Sequence, residues 1–319
     1  MQTISDTLSH LHLGAASAFE GMTVFPLFSD QLRDKDYLTL DEALDQKLAR
    51  VIEVSEDGEV PNLLFENLGS RKVLLVDGDE LVGAKQNRIV NLSILVGAHT
   101  KIEIPVSCVE AGRWSRKSDE FSSAKRAMYS RARASKAEAV TVRMRRSGER
   151  YSDQSEVWSN IAMCSADLDV DSLTSSMSDI YESHEQRLGR YREAFKAQDG
   201  QVGALFAIDG NAQGLEIFDS SATFSHYLER LVSSYALGSL ADMGEGREAA
   251  LPEAEQFMAS VKQAQAEQFE ALGEGEDLRL SGESLAGGAL VAEDRVVHLA
   301  AFSLDSGNKM SRHYSRPVV

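Results

Sequence analysis

The chain has 319 residues, 43% of them hydrophobic and 26% charged, and a formal net charge of −17. That length and balance suit a soluble globular protein with a large core. They argue against general nucleic-acid binding, which draws most of its affinity from a basic face, and no run approaches the roughly 18–20 apolar residues of a membrane helix.

Along the chain, residues 19–28 (FEGMTVFPLF) read as a strand with Pro26 near its edge. Thr39 and Glu42 form a capping-box pattern, which predicts a short helix over about residues 40–48. RVIEVS (50–55) and VPNLLFEN (60–67) read as strands around a turn at Asp57-Gly58. KVLLVDGD, RIVNLSILV and KIEIPVSCVE continue the series of short Val-, Ile- and Leu-rich runs. Strands at spacings of about ten residues predict a sandwich or barrel-like unit. The lack of a long amphipathic helix over 50–113 speaks against alternating βαβ units.

After Trp114 the pattern changes. Phe121, Ala124, Met128 and Ala132 share a helical face, which predicts a helix over 118–140, with a loop over 141–155. One or two helices are expected over 153–198, the clearest carried by Ile180, His184, Leu188, Tyr191 and Phe195. Residues 202–220 read as a hairpin turning at Asp209-Gly210, 221–237 as a helix, and 242–249 as a link. Pro252 suits the first turn and Gly273 the end of a further helix. Two or three strands follow, with a hairpin tip at Glu293-Asp294, and residues 306–319 read as exposed.

The order strands, helices, strands, helix, strands predicts an α+β protein. The expected architecture is a β-sandwich or barrel-like mixed-sheet unit, with a helical insertion over about 118–198 and a late helix over about 252–272. The late hairpins are expected to pair with the early sheet. That makes one interrupted domain: a β-rich part 15–114, the helical insertion 115–200 and a β/α return 201–319.

The N-terminus lacks a basic start followed by an apolar block, so no secretory signal is expected. The two cysteines, Cys108 and Cys164, have no metal-type spacing and read as free thiols of a cytoplasmic protein. His10 and His12 would share a strand face, but no further ligand stands at metal spacing, and no metal site is expected. From Arg116 to Arg150 there are eleven Lys or Arg against four Asp or Glu. Such a segment either pairs with the acidic body of the same chain or meets an acidic protein partner.

The chemistry-bearing residues concentrate in 76–114, where polar side chains interrupt apolar runs. Buried polar groups need partners, so the block is either a lined pocket or a closed network. Asp79, Glu80 and Glu110 offer carboxylates whose pKa values can split into an acid and a base; equally, they can pair with Arg88 and Arg113. Gln86 and Arg88 would share a strand face, with Asn87 opposite, and can clamp a phosphate or cap backbone groups. Arg113 and Trp114 offer a phosphate contact and a stacking face, or simply close the core.

At DGDELVGAKQNRIVN and IPVSCVEAGRW the chain resembles the bacterial ARPP-1 domain family, domain of unknown function 6569, and the resemblance runs from FEGMTVFPL to HLAAF. It implies a link to ADP-ribosyl-glycohydrolase and phosphatase proteins, hence to NAD or ADP-ribose metabolism, and names no cofactor. It also implies a site made of Glu20, Asp79, Glu80, Gln86, Asn87, Arg88, Glu110, Arg113 and Trp114. Two functions are consistent with these residues. One is an enzyme acting on a nucleotide-type ligand derived from NAD or ADP-ribose. Glu80 or Glu110 would be its catalytic carboxylate, Arg88 and Arg113 its phosphate clamp and Gln86 an orienting amide. The other is a non-catalytic binding or scaffold protein whose polar block is structural and whose segment 116–150 meets a partner.

Overall fold

The structure, a computed structural model, describes residues 2–55, 61–241 and 244–304. It begins with α1 (Gln2–Ser9), β1 (Leu11–Leu13), β2 (Ser17–Phe19) and β3 (Met22–Ser29). β1 and β2 pair with the two ends of β3, and Pro26 falls opposite the gap between them, so no ladder loses a donor there. β4 (Tyr37–Thr39) leads into α2 (Leu40–Asp45), and the Thr39–Glu42 capping box forms as expected.

β5 (Ala49–Glu53), β6 (Asn62–Asn67), β7 (Lys72–Leu75), β8 (Asp79–Gly83), β9 (Arg88–Val90), β10 (Ile94–Val96) and β11 (Lys101–Cys108) follow. The expected turn at Asp57-Gly58 lies outside the described residues. β12 (Phe121–Ala127) is a strand where the periodicity predicts helix. Phe121 pairs with both Val51 of β5 and Gly83 of β8, so tertiary pairing overrides a weak helical stripe. The helix begins later and runs through the expected loop, as α3 (Ser130–Ser147). Gly148, in the left-handed region at φ 75°, ends it by donating its N–H to the carbonyl of Met144.

α4 (Gln154–Asp167), α5 (Met177–Ser183) and α6 (Glu185–Ala194) complete the helical insertion. β13 (Gln201–Ile208) and β14 (Asn211–Phe218) form the expected hairpin, followed by α7 (Ser221–Ala241). α8 (Leu251–Gln263) has Pro252 in its first turn but stops well before Gly273. β15 (Gln265–Glu270) takes up the rest of the expected helix by pairing along its whole length with β16 (Glu276–Gly282). Its Gln- and Glu-rich sequence favours helix locally, but the same charged residues suit the open edge of a sheet. β17 (Leu285–Ala292) and β18 (Arg295–Ser303) close the described chain, with Glu293 and Asp294 at the tip.

The protein is α+β. β11, β6, β5, β12, β8 and β9 pair in that order into a closed six-stranded barrel. Val51, Leu63, Phe65, Leu81, Val90, Ile104 and Phe121 are buried together in its core. β10, β7 and β4 form a three-stranded sheet beside it. The late hairpins join the first strands of the chain in a nine-stranded antiparallel sheet, ordered β1-β3-β13-β14-β18-β17-β16-β15 with β2 also on β3. α7 touches β13 and β14 of that sheet and β12 of the barrel, while α3 touches β17 and β18.

Part of the basic segment is folded into this junction. Lys125, Arg126, Arg133, Lys136 and Arg145 all pair with carboxylates of the same chain. Arg133 is fully buried, bridging Asp77 and Glu216, and Glu216 also meets His298 at 3.2 Å. Lys136 pairs with Asp77; burial pulls its pKa down to about 8, against the raising effect of that carboxylate.

Candidate functional site

Three strand ends meet where β8 and β11 finish and β9 begins. Arg88 opens β9, with Leu81 of β8 and Cys108 of β11 as its cross-strand partners. Paired residues share a face of a sheet, so Arg88 points inward with Leu81, toward the barrel core. It is 0% exposed, and burial lowers its pKa. Its Nη1 donates to Gln86 Oε1 at 3.0 Å, while Nε and Nη2 have no hydrogen-bond partner among the described residues. Cys108 nearby is a free, buried thiol, pushed up to about 11 by desolvation. Glu53, at the end of β5, keeps its Oε2 buried and unpartnered, and its charge acts on Arg88.

Trp114 is the exposed member of the group, at 51%. The Arg88 guanidinium lies 5.8 Å and the Lys85 ammonium 5.6 Å from its ring centroid. An indole flanked by two cations is a cation–π arrangement.

Behind Arg88 the polar block closes into a network. Gln86 Nε2 donates to the Glu110 carbonyl at 2.9 Å. Arg113 donates through Nε to Glu110 Oε2 (2.7 Å), through Nη1 to the Ala84 carbonyl (2.9 Å) and through Nη2 to Asn87 Oδ1 (2.9 Å). Thr174 holds the other Glu110 oxygen, and Asn87 donates its backbone N–H to Glu110 Oε2. Burial alone would raise the Glu110 pKa, but the bond and charge of Arg113 overcome it and hold the carboxyl below its ordinary value. Asn87 Nδ2 reaches Ser178 Oγ, which donates to Glu80 Oε1 at 2.7 Å. Glu80 is fully buried; desolvation raises its pKa despite Arg126, whose Nε stands 3.5 Å from Oε2. Glu80 therefore pairs with Arg126, not with Arg88.

Two of the nine sequence-derived residues lie elsewhere. Asp79 faces α7, where Arg230 Nη1 donates to Oδ1 at 2.8 Å and Tyr227 Oη to Oδ2 at 3.0 Å. Glu20 sits in the β2–β3 turn, paired with Arg190 of α6. The remaining seven, Glu80, Gln86, Asn87, Arg88, Glu110, Arg113 and Trp114, form one chain of contacts, but Glu80, beside Ile89, faces away from the barrel core that Arg88 enters with Leu81.

Residues 10–302 match the family model of the ARG and Rhodanese-Phosphatase-superfamily-associated Protein domain, ARPP-1. The chain belongs to the ARPP-1 family. No curated protein and no solved structure matches it. The ARPP-1 description associates the domain with ARG and rhodanese-phosphatase proteins, which suggests a role in a related pathway.

Sequence reasoning missed Ser178, Thr174 and Arg126, which complete the ARPP-1 network from α5, the loop before it and β12. Nothing local marks them. Glu53 was missed too, although in RVIEVS it shares the inward parity of Val51, and an acidic residue on the core face of a strand could have marked it. A separate cleft of about 780 Å³ opens between α4, α8 and the tips of the β13–β14 and β16–β17 hairpins, and none of the nine residues lines it.

Proposed function

We propose that this ARPP-1 member binds a small nucleotide-type anion, of the ADP-ribose or NAD kind, at the Arg88 end of its barrel. One observation carries the reading: a fully buried guanidinium whose Nε and Nη2 have no hydrogen-bond partner among the described residues. Those two donors form a fork that matches the paired oxygens of a phosphate or carboxylate. Trp114 offers a stacking face for a base or nicotinamide ring. The unpartnered Oε2 of Glu53 offers an acceptor for a ribose hydroxyl. Glu110, Arg113, Asn87 and Gln86 hold the loop that presents Arg88, since their polar atoms already serve one another. The choice of a nucleotide-type ligand follows the link to ADP-ribosyl-glycohydrolase proteins that the family resemblance implies. Entry requires Trp114 and the exposed residues after it to move off Arg88.

The test is fluorescence titration in a Trp158→Phe background, which leaves Trp114 as the single tryptophan. Saturable quenching by ADP-ribose, lost in Arg88→Met, is expected, with inorganic phosphate and adenosine as partial ligands. Absence of binding by all of these, in a folded protein, would refute the reading. A catalytic version would use Glu80 or Glu110 as its carboxylate, although Glu80 faces α5 on the side of β8 away from Arg88. Chromatography of NAD and ADP-ribose after incubation decides it: turnover abolished by both Glu80→Gln and Glu110→Gln supports catalysis, and no turnover by wild type leaves binding alone.

A further inference from the structure

The loop between β8 and β9 carries a second cation beside Arg88. Lys85 is half-buried, and its ammonium stands 5.6 Å from the Trp114 ring centroid, against 5.8 Å for the Arg88 guanidinium. Two positive side chains thus converge on one indole. Like charges brought together repel, and the quadrupole of a ring offsets that only weakly. Arg113 cannot serve a guest in the same way. It gives Nε to Glu110, Nη1 to the carbonyls of Ala84 and Ser115, and Nη2 to Asn87 and the Gly83 carbonyl. The second half of the clamp that the sequence assigns to Arg113 therefore falls to Lys85. With Glu110 offset by Arg113, Lys85 and Arg88 outweigh the one carboxylate of Glu53 beside them.

The backbone imposes this convergence. Ala84 is buried and has φ 36°, in the left-handed region that a non-glycine residue rarely occupies. Both of its backbone groups are held by the segment that carries Trp114. Its N–H donates to Ser118 Oγ at 2.9 Å, and its carbonyl accepts from the Lys117 N–H and from Arg113 Nη1, each at 2.9 Å. Lys85 follows directly, its N–H donating to Glu53 Oε1 at 3.4 Å. Backbone strain that several bonds over-determine is typical of ligand clamps. Trp114 is half-exposed, so its ring can swing out by side-chain rotation while Arg113 and Lys117 stay in place.

We propose that the Trp114 ring holds the place of a diphosphate. When a ligand displaces it, Arg88 takes one phosphoryl group through its Nε and Nη2 fork and Lys85 takes the other as a point charge, so the site selects diphosphates over monophosphates. An indole and two linked phosphoryl groups are of similar length, and the diphosphate brings full negative charge where the ring brings a quadrupole. Lys85 is the specificity-determining residue, and the ring competes with the ligand for both cations. The assignment rests on the anion site proposed above.

Isothermal titration of the full chain with ADP, AMP and inorganic pyrophosphate, at about 0.15 M ionic strength to screen diffuse attraction, tests it. ADP should bind about tenfold tighter than AMP or better. Lys85→Gln should weaken ADP by about tenfold and AMP by less than about threefold, and Lys85→Arg should restore the preference. Neither variant should shift the melting temperature, because Arg113 rather than Lys85 braces the loop. Pyrophosphate has no base to stack, so Trp114→Ala should tighten it by about three- to fivefold as the ring ceases to compete. Equal wild-type affinity for ADP and AMP, an ADP-to-AMP ratio unchanged in Lys85→Gln, or weaker pyrophosphate binding in Trp114→Ala would each overturn the proposal. Arg88→Met separates the two levels. If it abolishes binding of all three ligands while the ratio ignores Lys85, the anion site stands and the diphosphate assignment falls. If the wild type binds none of the three, nor ADP-ribose, both fall.

Discussion

Replacing Arg88 by Met separates a binding guanidinium from a structural one. Met has a similar reach, no charge and a flexible, polarisable chain that fills irregular space. In the unliganded protein the substitution removes two buried donors that lack partners, Nε and Nη2. Each such donor costs about 1–3 kcal/mol, and more when charged. It forfeits the bond from Nη1 to Gln86 Oε1, worth about 1.5–3 kcal/mol for a charged donor. It also loses the contact with Trp114, about 0.5–1 kcal/mol at a partly exposed ring. The gain of about 2–6 kcal/mol against a loss of about 2–4 kcal/mol leaves a balance centred about 1 kcal/mol in favour of the variant, a melting temperature higher by about 1–2 °C at this chain length. Urea denaturation with and without ADP-ribose reads both halves. At a hundredfold excess over Kd, ligand should stabilise the wild type by about 2.7 kcal/mol, and the variant not at all. A variant destabilised by more than about 2 kcal/mol, together with a wild type insensitive to ligand, would mean the guanidinium is satisfied within the protein, and the reasoning fails.

Glu110→Gln should lose about 3 kcal/mol in urea denaturation, since it strands the buried Arg113 cation; a loss below about 1 kcal/mol would show that the network is not the support described. Glu80 carries the opposite signature. Its folded pKa is raised, so the folded state holds the proton more tightly than the unfolded chain; its stabilising contribution is full below the unfolded pKa and is lost as pH rises through the folded one. Relative to Glu80→Gln, the wild type should therefore lose stability as pH rises above the ordinary glutamate pKa of about 4.3, and a flat difference would contradict the burial effect. Phe121→Ala should cost about 3–4 kcal/mol as a large core truncation and should speed amide exchange along β5 and β8, which β12 joins into a closed barrel; slow exchange unchanged there would argue against closure.

The strand content was legible because short apolar runs between Gly and Asp leave few alternatives, and the hairpins at Asp209-Gly210 and Glu293-Asp294 carry their own turn chemistry. The two segments read as helix, 121–127 and 265–270, failed for one reason. Ala, Lys, Glu and Gln favour helix in isolation, but Phe121 closes a barrel and Gln265–Glu270 extends a sheet edge, and neither pairing has a local signal. The grouping of Gln86, Arg88, Glu110 and Arg113 followed from polar residues at the ends of neighbouring strands. Asp79 escaped that grouping because strand parity turns it toward α7 while Glu80 turns toward α5.

That parity also explains why VDGDE anchors so much of the molecule. Asp77 takes Lys136 and Arg133 of α3, Asp79 takes Arg230 and Tyr227 of α7, and Glu80 takes Ser178 of α5 and Arg126 of β12. Gly78, at φ 86°, makes the bend between the first two, and a Cβ there would lie 2.9 Å from the Arg133 side chain. One short turn thus clamps three helices to the barrel through buried charges, and such pairs cost most when only one partner is removed. Asp79→Asn should lose about 3 kcal/mol, because Arg230 is left with Asp41 alone to offset its charge. Adding Arg230→Met should return a substantial part, with a coupling of about 1–3 kcal/mol in the double-mutant cycle, since Asp41 keeps His226 and Ser123. Strictly additive losses would show that the two side chains do not act as one clamp, and that apolar packing of α7 against β12 and β13 alone sets its position.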